Sequence, residues 1–243
     1  MTTFILVHGA WHGGWCWQKL VPLLEAQGHT VLTPDLPGHE LPDGAPATTT
    51  LEDYGRAIAA LATAQPQQVI LVGHSMGGGV ITQAAAYSSN IAGLIYLAAF
   101  VPQHGDSIAE LAGGAEVDEL SDHVELTPDG RRMVVQSNAG NIVFYADCSA
   151  EDQATANAKL IPQPLQPIAD ALEDPQGRAA SLPSVGIICT QDRAIEPNLQ
   201  RIMCDAQDMT TYEMDTSHSP FVSAPAQLAD LITKAAKELE AAS

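Results

Sequence analysis

A single serine stands between glycines in the stretch VGHSMGGG, residues 72–79. Gly73, Ser75 and Gly77 fit the pattern G-x-S-x-G, which carries a nucleophilic serine where it directly follows a strand and precedes a helix. The apolar run QQVILVG over 67–73 supplies such a strand, which a flexible linker would not have. The small residues Gly73 and Gly77 keep neighbouring chain segments from colliding with the serine. The N-terminus of the helix that follows stabilises negative charge that develops at the serine during a reaction. We therefore predict that Ser75 is a nucleophile; the alternative is a glycine-rich turn without chemistry.

The serine needs a base, and the base needs an acid that orients it. His218, in DTSHSPF, follows a predicted strand and precedes the last helix, which is the position of the base in the chain order serine, acid, histidine. Asp192, in CTQDRAI, directly follows the preceding strand and is the predicted acid. Helix capping is the alternative role of both residues. Asp215 is closer to His218 in sequence, but it lies within or at the end of a predicted strand.

Acyl transfer also requires two donors for an oxyanion, and the backbone N–H of Met76, directly after the serine, is one candidate. The other is expected in the turn 8–11 after the first strand. Trp11 in that turn, with Phe144 and Tyr145 further along the chain, are the candidate substrate contacts. Ordinary core packing is the alternative role of these aromatic residues.

The elements that position these residues alternate along the chain. Strands are predicted over 4–10, 29–38, 67–73, 91–100, 184–190 and 210–216. Helices are predicted over 15–27, 51–64, 76–88 and 225–241. Continuous apolar strands separated by helices indicate an α/β fold with a mostly parallel sheet flanked by helices.

Residues 101–178 interrupt this alternation. The sequence PDG at 128–130 lies between HVELT and RRMVVQ and predicts a hairpin turn, and the proline-rich IPQPLQP follows at 161–167. The segment is too long for a crossover loop, so we predict a cap inserted over the active site. The core then consists of 1–100 and 179–243, and the cap is expected to select the substrate.

Composition excludes several classes of function. The formal charge is −19 with only ten Lys and Arg, which argues against a nucleic-acid surface. The four cysteines lie far apart, which suits neither a zinc site nor a disulfide framework. The N-terminus MTTFILVHGA has neither a basic region nor a long apolar run, so no signal peptide or membrane span is expected. We expect a cytoplasmic protein, with the oligomeric state open and a homodimer as one option.

Six motifs spread over nearly the whole chain resemble the α/β-hydrolase fold. They are VHGAWHGGWCW (7–17), DLPGH (35–39), VGHSMGG (72–78), LIYLAAFVP (94–102), CTQDRAIEP (189–197) and SHSPF (217–221). More narrowly, the chain is similar to the branch of plant methylesterases, hydroxynitrile lyases and small bacterial carboxylesterases, including pyrethroid-hydrolysing ones. The resemblance is weakest around 105–180.

This resemblance implies a specific site and a reaction class. The implied catalytic triad is Ser75, Asp192 and His218, with the backbone amides of Ala10 and Met76 as oxyanion donors. It implies no metal and no organic cofactor. The implied reaction is hydrolysis of a small-molecule carboxylic ester through an acyl-enzyme.

The same branch contains another activity, and relatives of the fold include small-molecule receptors. Its hydroxynitrile lyases typically have a threonine after the alanine of the first turn and a lysine close to the base. Here Trp11 and Ser219-Pro220 occupy these places, so a departing cyanide lacks a cationic partner. Ester hydrolysis is therefore favoured over the lyase and the receptor.

Overall fold

The computed structural model describes residues 1–41 and 45–242. The strands are β1 (Thr3–Val7), β2 (Thr30–Leu32), β3 (Val69–His74), β4 (Ile91–Leu97), β5 (Val124–Leu126), β6 (Arg132–Val135), β7 (Gln163–Pro164), β8 (Ser184–Cys189) and β9 (Thr210–Met214). The α-helices are α1 (Val21–Ala26), α2 (Leu51–Thr63), α3 (Gly77–Ala85), α4 (Ile108–Ala112), α5 (Gly140–Val143), α6 (Ala150–Asn157), α7 (Gln166–Ala169), α8 (Pro197–Asp205), α9 (Pro220–Ser223) and α10 (Pro225–Ala242). Short 3₁₀ helices span Gly14–Trp17 and Ser121–His123.

Six strands form one sheet in the order β2-β1-β3-β4-β8-β9, and every pairing is parallel. The inner strands β3 and β4 are buried along almost their whole length, as expected for a parallel sheet covered on both faces. The predicted α/β architecture with helices on both faces is therefore confirmed.

Alternate residues of the strands supply two separate hydrophobic cores, because successive side chains point to opposite faces of a sheet. Ile5 and Leu71 belong to the core that α2 and α3 cover. Leu6 and Val72 belong to the core on the other face, where α1 and α10 pack. In the described part of the chain, no helix combines the length and the apolar character needed to cross a bilayer.

A small antiparallel insert lies between β4 and β8, within the predicted cap. Its strands run in the order β5-β6-β7, and β5 pairs with β6 across the predicted hairpin. The turn is closed by the amide of Gly130, which donates to the Thr127 carbonyl over 2.7 Å.

Several predicted elements are shorter in the structure, among them the strand expected over 29–38, which spans only Thr30–Leu32, and two of them have a clear local reason. The helix expected over 15–27 begins only at Val21, because Pro22 has no N–H with which to bond the Gln18 carbonyl. The strand expected over 91–100 ends at Leu97, because Ala98 adopts a φ of 42°, which leaves the extended region.

The first turn of α3 packs directly on the end of β1 and on the strand that precedes it. A β-carbon at Gly77 would lie 2.6 Å from the Val7 carbonyl oxygen and 2.8 Å from that of His8. One at Gly73 would lie 2.4 Å from the Gly77 carbonyl oxygen. The two glycines of the serine motif are thus required by backbone packed against backbone.

We expect Gly77→Ala to lower the free energy of unfolding by about 1–3 kcal/mol, because the added methyl group meets rigid backbone. The measurement is urea unfolding followed by circular dichroism. Gly113→Ala is the matched control, since its β-carbon would lie 3.4 Å from the nearest atom and its φ is −65°. Equal stabilities of the two variants would contradict this account of the turn.

Candidate active site

Ser75 sits on the sharp turn between β3 and α3 with a φ of 56°, in the left-handed region that a residue with a side chain seldom adopts. Backbone hydrogen bonds hold it there. Its amide donates to the Leu97 carbonyl over 3.3 Å, and its carbonyl accepts from the amides of Gly78 (3.0 Å) and Phe100 (3.3 Å). The strain is therefore sustained by the turn itself and by the segment that follows β4.

The predicted base and acid are in direct contact. His218 follows β9, Asp192 follows β8, and His218 Nδ1 lies 2.7 Å from Asp192 Oδ2 in a fully buried pair. Asp215 is elsewhere, where its Oδ1 accepts hydrogen bonds from Thr190 and Gln191. The structure thus brings Asp192 and not Asp215 to the histidine, and His218 Nε2 is the nitrogen left for proton transfer.

The Asp192 carboxylate accepts further hydrogen bonds that fix its plane. Its Oδ1 accepts from the backbone amides of Ala194 (2.8 Å) and Ile195 (3.0 Å). Its Oδ2 accepts from Gln200 Nε2 (2.8 Å) in addition to His218. Gln200 has no place in the sequence motifs, because a glutamine in a helix carries no signal of such a role.

Ala10 and Met76 line the same cleft as Ser75, as the oxyanion assignment requires. Within the described residues, no backbone carbonyl or side chain of the protein accepts a hydrogen bond from either amide. His8 Nδ1 donates to the Gly9 carbonyl over 2.9 Å, while His8 Nε2 accepts from the Leu36 amide. The Gly9 carbonyl and the Ala10 N–H belong to one peptide plane, so this contact also sets the direction of that N–H.

A second histidine holds the next peptide of the same turn. His12 Nδ1 donates to the Ala10 carbonyl over 2.7 Å, so its Nε2 accepts from the Tyr145 hydroxyl over 2.6 Å. Burial removes the hydration of a charged imidazole and lowers the pKa of His12 to about 4. Burial likewise lowers the pKa of His8 and of His74 well below its usual value. Neutral imidazoles therefore support the turn.

His74 immediately precedes Ser75 and contacts the loop after β9 that carries His218. Its Nε2 donates to the His218 carbonyl over 2.9 Å, and the two rings lie 4.4 Å apart between centroids. The loop is also held by Asp147, whose carboxylate accepts from the Ser217 amide over 3.0 Å and from the Ser217 hydroxyl. These contacts fix the backbone on which His218 stands.

The three predicted substrate contacts occupy different places. Trp11 lines the cleft, with its indole N–H donating to the Met133 carbonyl over 3.0 Å. Phe144 and Tyr145 are buried and are not part of the cleft lining. The Phe144 ring packs 5.7 Å from those of Trp11 and His218, and Tyr145 supports His12. Only Trp11 is thus brought together with Ser75 in the cleft.

The cleft beside Ser75 has a volume of about 330 Å³ and is formed by both the core and the insert. Its apolar lining residues are Ala10, Trp11, Met76, Phe100, Ile108, Ala112, Ala115, Val117, Leu120, Val124, Met133, Ile168, Ala194, Ile195 and Leu199. Its polar lining residues are Ser75, Asp118, Ser121 and Glu196. A mainly apolar concavity with a few polar groups suits a small hydrophobic ligand.

Two further observations bear on ligands. Another cavity, of about 470 Å³, lies around Tyr96, Asp174 and Met209 and contains none of the predicted site residues. Across residues 1–41 and 45–242, no group of three or more His, Cys, Asp or Glu side chains is arranged to hold a metal ion. The groups available for chemistry at the predicted site are the Ser75 hydroxyl, the His218 imidazole and the Asp192 carboxylate.

Comparisons with known proteins show what the chain is similar to. A model of the alpha/beta hydrolase family matches residues 4–231. The chain is 31% identical to a pyrethroid hydrolase of Sphingobium wenxiniae, over 96% of this chain and 86% of that protein. It is also 31% identical to methylesterase 1 of Arabidopsis thaliana, over 96% and 95% of the two chains. A crystal structure of a pyrethroid hydrolase from Sphingobium faniae gives a TM-score of 0.86 at 30% identity, covering 96% of each chain.

The buried neutral histidines predict an acid-sensitive fold. In the unfolded chain a histidine takes up a proton below about pH 6.5, whereas folded His12 does so only below about 4. The unfolded state therefore binds more protons between these values, and stability is lost as the pH falls through this window.

We expect His12→Asn to lose less stability than the wild type as the pH falls. The asparagine side-chain amide can still donate to the Ala10 carbonyl, but it does not titrate in this range. The measurement is the free energy of unfolding in urea between about pH 7 and about pH 4.5. Exposed His104→Asn serves as the control. An unchanged slope in His12→Asn would show that His12 does not contribute.

Proposed function

This chain belongs to the alpha/beta hydrolase family, and we propose that it hydrolyses carboxylic esters of small, largely hydrophobic molecules through Ser75. The observation that carries the proposal is the strained serine that lines an apolar cleft, on a turn whose His74 bonds the backbone of His218 in the buried His218–Asp192 pair. The relatives named methylesterase and pyrethroid hydrolase support the same reaction class. The chain is thus an ester hydrolase of the methylesterase and carboxylesterase type.

In the proposed acylation, His218 Nε2 takes the Ser75 hydroxyl proton while Oγ bonds to the ester carbonyl carbon. The carbonyl oxygen becomes an oxyanion, to which the amides of Ala10 and Met76 donate. Asp192 stabilises the imidazolium through Nδ1 without taking its proton. When the carbonyl re-forms, the bond to the leaving oxygen breaks, and that oxygen takes the proton from His218 Nε2.

In deacylation, water replaces the departed alcohol. His218 Nε2 takes one water proton as the water oxygen attacks the acyl carbon, and the same two amides hold the second oxyanion. The bond to Ser75 Oγ then breaks, and Oγ recovers its proton from His218. The products are a carboxylic acid and an alcohol, and the site returns to its starting state.

The cleft supports a neutral and hydrophobic substrate. Among its lining residues, all of which the structure describes, there is no Lys, Arg or His to pair with a carboxylate or phosphate. Its acidic groups, Asp118 and Glu196, would repel an anion. Methyl esters and bulkier hydrophobic esters, such as those named in the relatives, are the candidate substrates. The cytoplasmic location and the homodimer expected from the sequence stay predictions.

The lyase and the receptor readings lack a supporting observation. The cleft lining contains no cation that could accompany a departing cyanide, and Ser219-Pro220 follows the base. A receptor would not require an ordered carboxylate–histidine pair beside the serine, whereas a hydrolase does.

We expect Ser75→Ala and Asp192→Asn to lower kcat/KM on a short-chain p-nitrophenyl ester by at least about 10³-fold. The first variant removes the nucleophile, and the second no longer holds His218 in its productive tautomer. Both should keep the fold by circular dichroism. Asp215→Asn is the control, because its carboxylate lies apart from His218.

Mandelonitrile cleavage is measured in parallel on all four proteins. Ester turnover that survives in Ser75→Ala would reject the mechanism. Mandelonitrile cleavage without ester turnover would identify a lyase, and tight ligand binding without either reaction would identify a receptor.

We expect the insert to limit the size of the acyl or alcohol group that the cleft can accept. Ala112, at the end of α4, faces the cleft, so we expect Ala112→Phe to lower kcat/KM for bulky esters by about tenfold or more, with little effect on p-nitrophenyl acetate. Ala109→Phe is the matched control, since Ala109 lies on the same helix but is exposed and outside the cleft. An equal loss on both esters would show that Ala112 does not determine size.

A further inference from the structure

Gln200 is a buried amide whose contacts converge on Asp192. It lies on α8, is 2% exposed, and its Nε2 donates to Asp192 Oδ2 over 2.8 Å and to the Ile195 carbonyl over 2.7 Å. Its Oε1 accepts from the Cys189 amide over 3.2 Å. One side chain thus connects the end of β8, the turn that carries the acid, and α8.

The chemistry of its partners fixes the orientation of this amide. The Cys189 N–H is a donor, so it requires the oxygen of Gln200 on its side. Asp192 Oδ2 and the Ile195 carbonyl are acceptors, so they require the NH₂ group. A flipped amide would lose all of these hydrogen bonds and place oxygen against oxygen.

The contact with Oδ2 bears directly on the base, because Oδ2 is also the atom that accepts from His218 Nδ1. The amides of Ala194 and Ile195 hold only the other oxygen, Oδ1. Without Gln200, rotation of the carboxylate about its Cβ–Cγ bond would be opposed on the Oδ2 side by His218 alone, the group that moves protons in catalysis.

We propose that Gln200 is a positioning residue that holds Asp192 Oδ2 on His218 Nδ1 throughout the reaction. This inference rests on the proposed function, since it assigns Gln200 a part in the same proton transfer. It predicts an effect on kcat rather than on KM, because Gln200 is absent from the cleft lining and cannot touch the substrate.

Gln200→Glu tests the proposal through pH. The glutamate keeps an oxygen for the Cys189 amide but places its second oxygen at hydrogen-bond distance from Asp192 Oδ2 and from the Ile195 carbonyl. Two carboxylates this close share one proton. With that proton bound, the introduced glutamate and Asp192 together carry a single negative charge, as Gln200 and Asp192 do in the wild type. Loss of that proton at higher pH leaves two adjacent negative charges beside His218.

Other charged or titratable groups face this pair from several elements, among them Asp147, His74 and His12 around the loop of His218. The Cys189 thiol and His218 face Asp192 from the core, and burial raises the pKa of that thiol. Arg193 and Glu196 flank the acid turn, where Arg193 lies 4.0 Å from Glu119 and the Glu196 carboxylate accepts from the Glu116 amide. None of these is altered by the substitution.

We expect kcat/KM of Gln200→Glu to approach the wild-type value at the acidic end of the measured range and to fall below it on the alkaline side. Gln200→Leu, which cannot donate, should lower kcat by about tenfold at all pH values with KM nearly unchanged. Gln83→Glu is the matched control. Gln83 is also buried, but its side chain bonds the Glu173 backbone, away from Asp192, so its profile should follow the wild type.

An NMR measurement reports on the same contact without activity. The far-downfield proton between His218 Nδ1 and Asp192 Oδ2 should shift or exchange faster in Gln200→Leu and remain unchanged in Gln83→Leu. Wild-type kcat and an unchanged downfield signal in Gln200→Leu would overturn the proposal. So would a uniform loss across pH in a less stable Gln200→Glu, since that is the result of a merely structural role.

Ser75→Ala in the same ester assay separates the two levels of inference. If it abolishes turnover while the Gln200 variants behave like the wild type, only the role of Gln200 fails. If Ser75→Ala retains turnover, the proposed function fails, and with it the catalytic role of Gln200. The NMR signal would then still report whether Gln200 holds Asp192 against His218.

Discussion

The left-handed backbone of Ser75 depends on the close approach of three chain segments at the carboxyl edge of the sheet. The turn after β3 bonds Leu97 and Phe100 on one side, while the start of α3 rests on the carbonyl of Val7 on the other. The side of Val7 leaves no room for a β-carbon at Gly77, and the side of Phe100 leaves none at Gly78. A conformation that costs about 1–3 kcal/mol in isolation persists because the surrounding backbone allows no other path.

Buried polar groups are organised around the same edge. His8 and His12 donate to successive carbonyls of the first turn, and His74 donates to the carbonyl of His218. A charged imidazole would lose its hydration here, so these rings remain neutral and act as rigid hydrogen-bonding groups. The turns that carry Ser75 and Ala10 are thus held by preorganised hydrogen bonds, an arrangement that favours charge developing at one fixed position.

The sequence predicted the alternation of strands and helices and the hairpin, because these depend on local periodicity and turn residues. It also placed Asp192 and His218 after adjacent strands, and parallel strands bring such positions together. The contact of Gln200 with Asp192 depends instead on the orientation of α8 against the acid turn, which no local pattern specifies. Phe144 and Tyr145 illustrate the same limit, since an aromatic residue in an insert can face a cleft or pack beneath it.

The first turn shows why insert and core cannot be regarded as independent parts. Trp11 has a φ of 61°, donates through its indole to Met133 on β6, and accepts at its carbonyl from the Ile161 amide over 3.0 Å. Its neighbour Ala10 supplies the proposed oxyanion donor. Because the insert holds Trp11, a shift of the insert would reach the Ala10 amide through the single peptide bond between Ala10 and Trp11. The segment that shapes the cleft is in this way also a support for the proposed oxyanion site, so we expect changes in the insert to affect substrate selection and rate together.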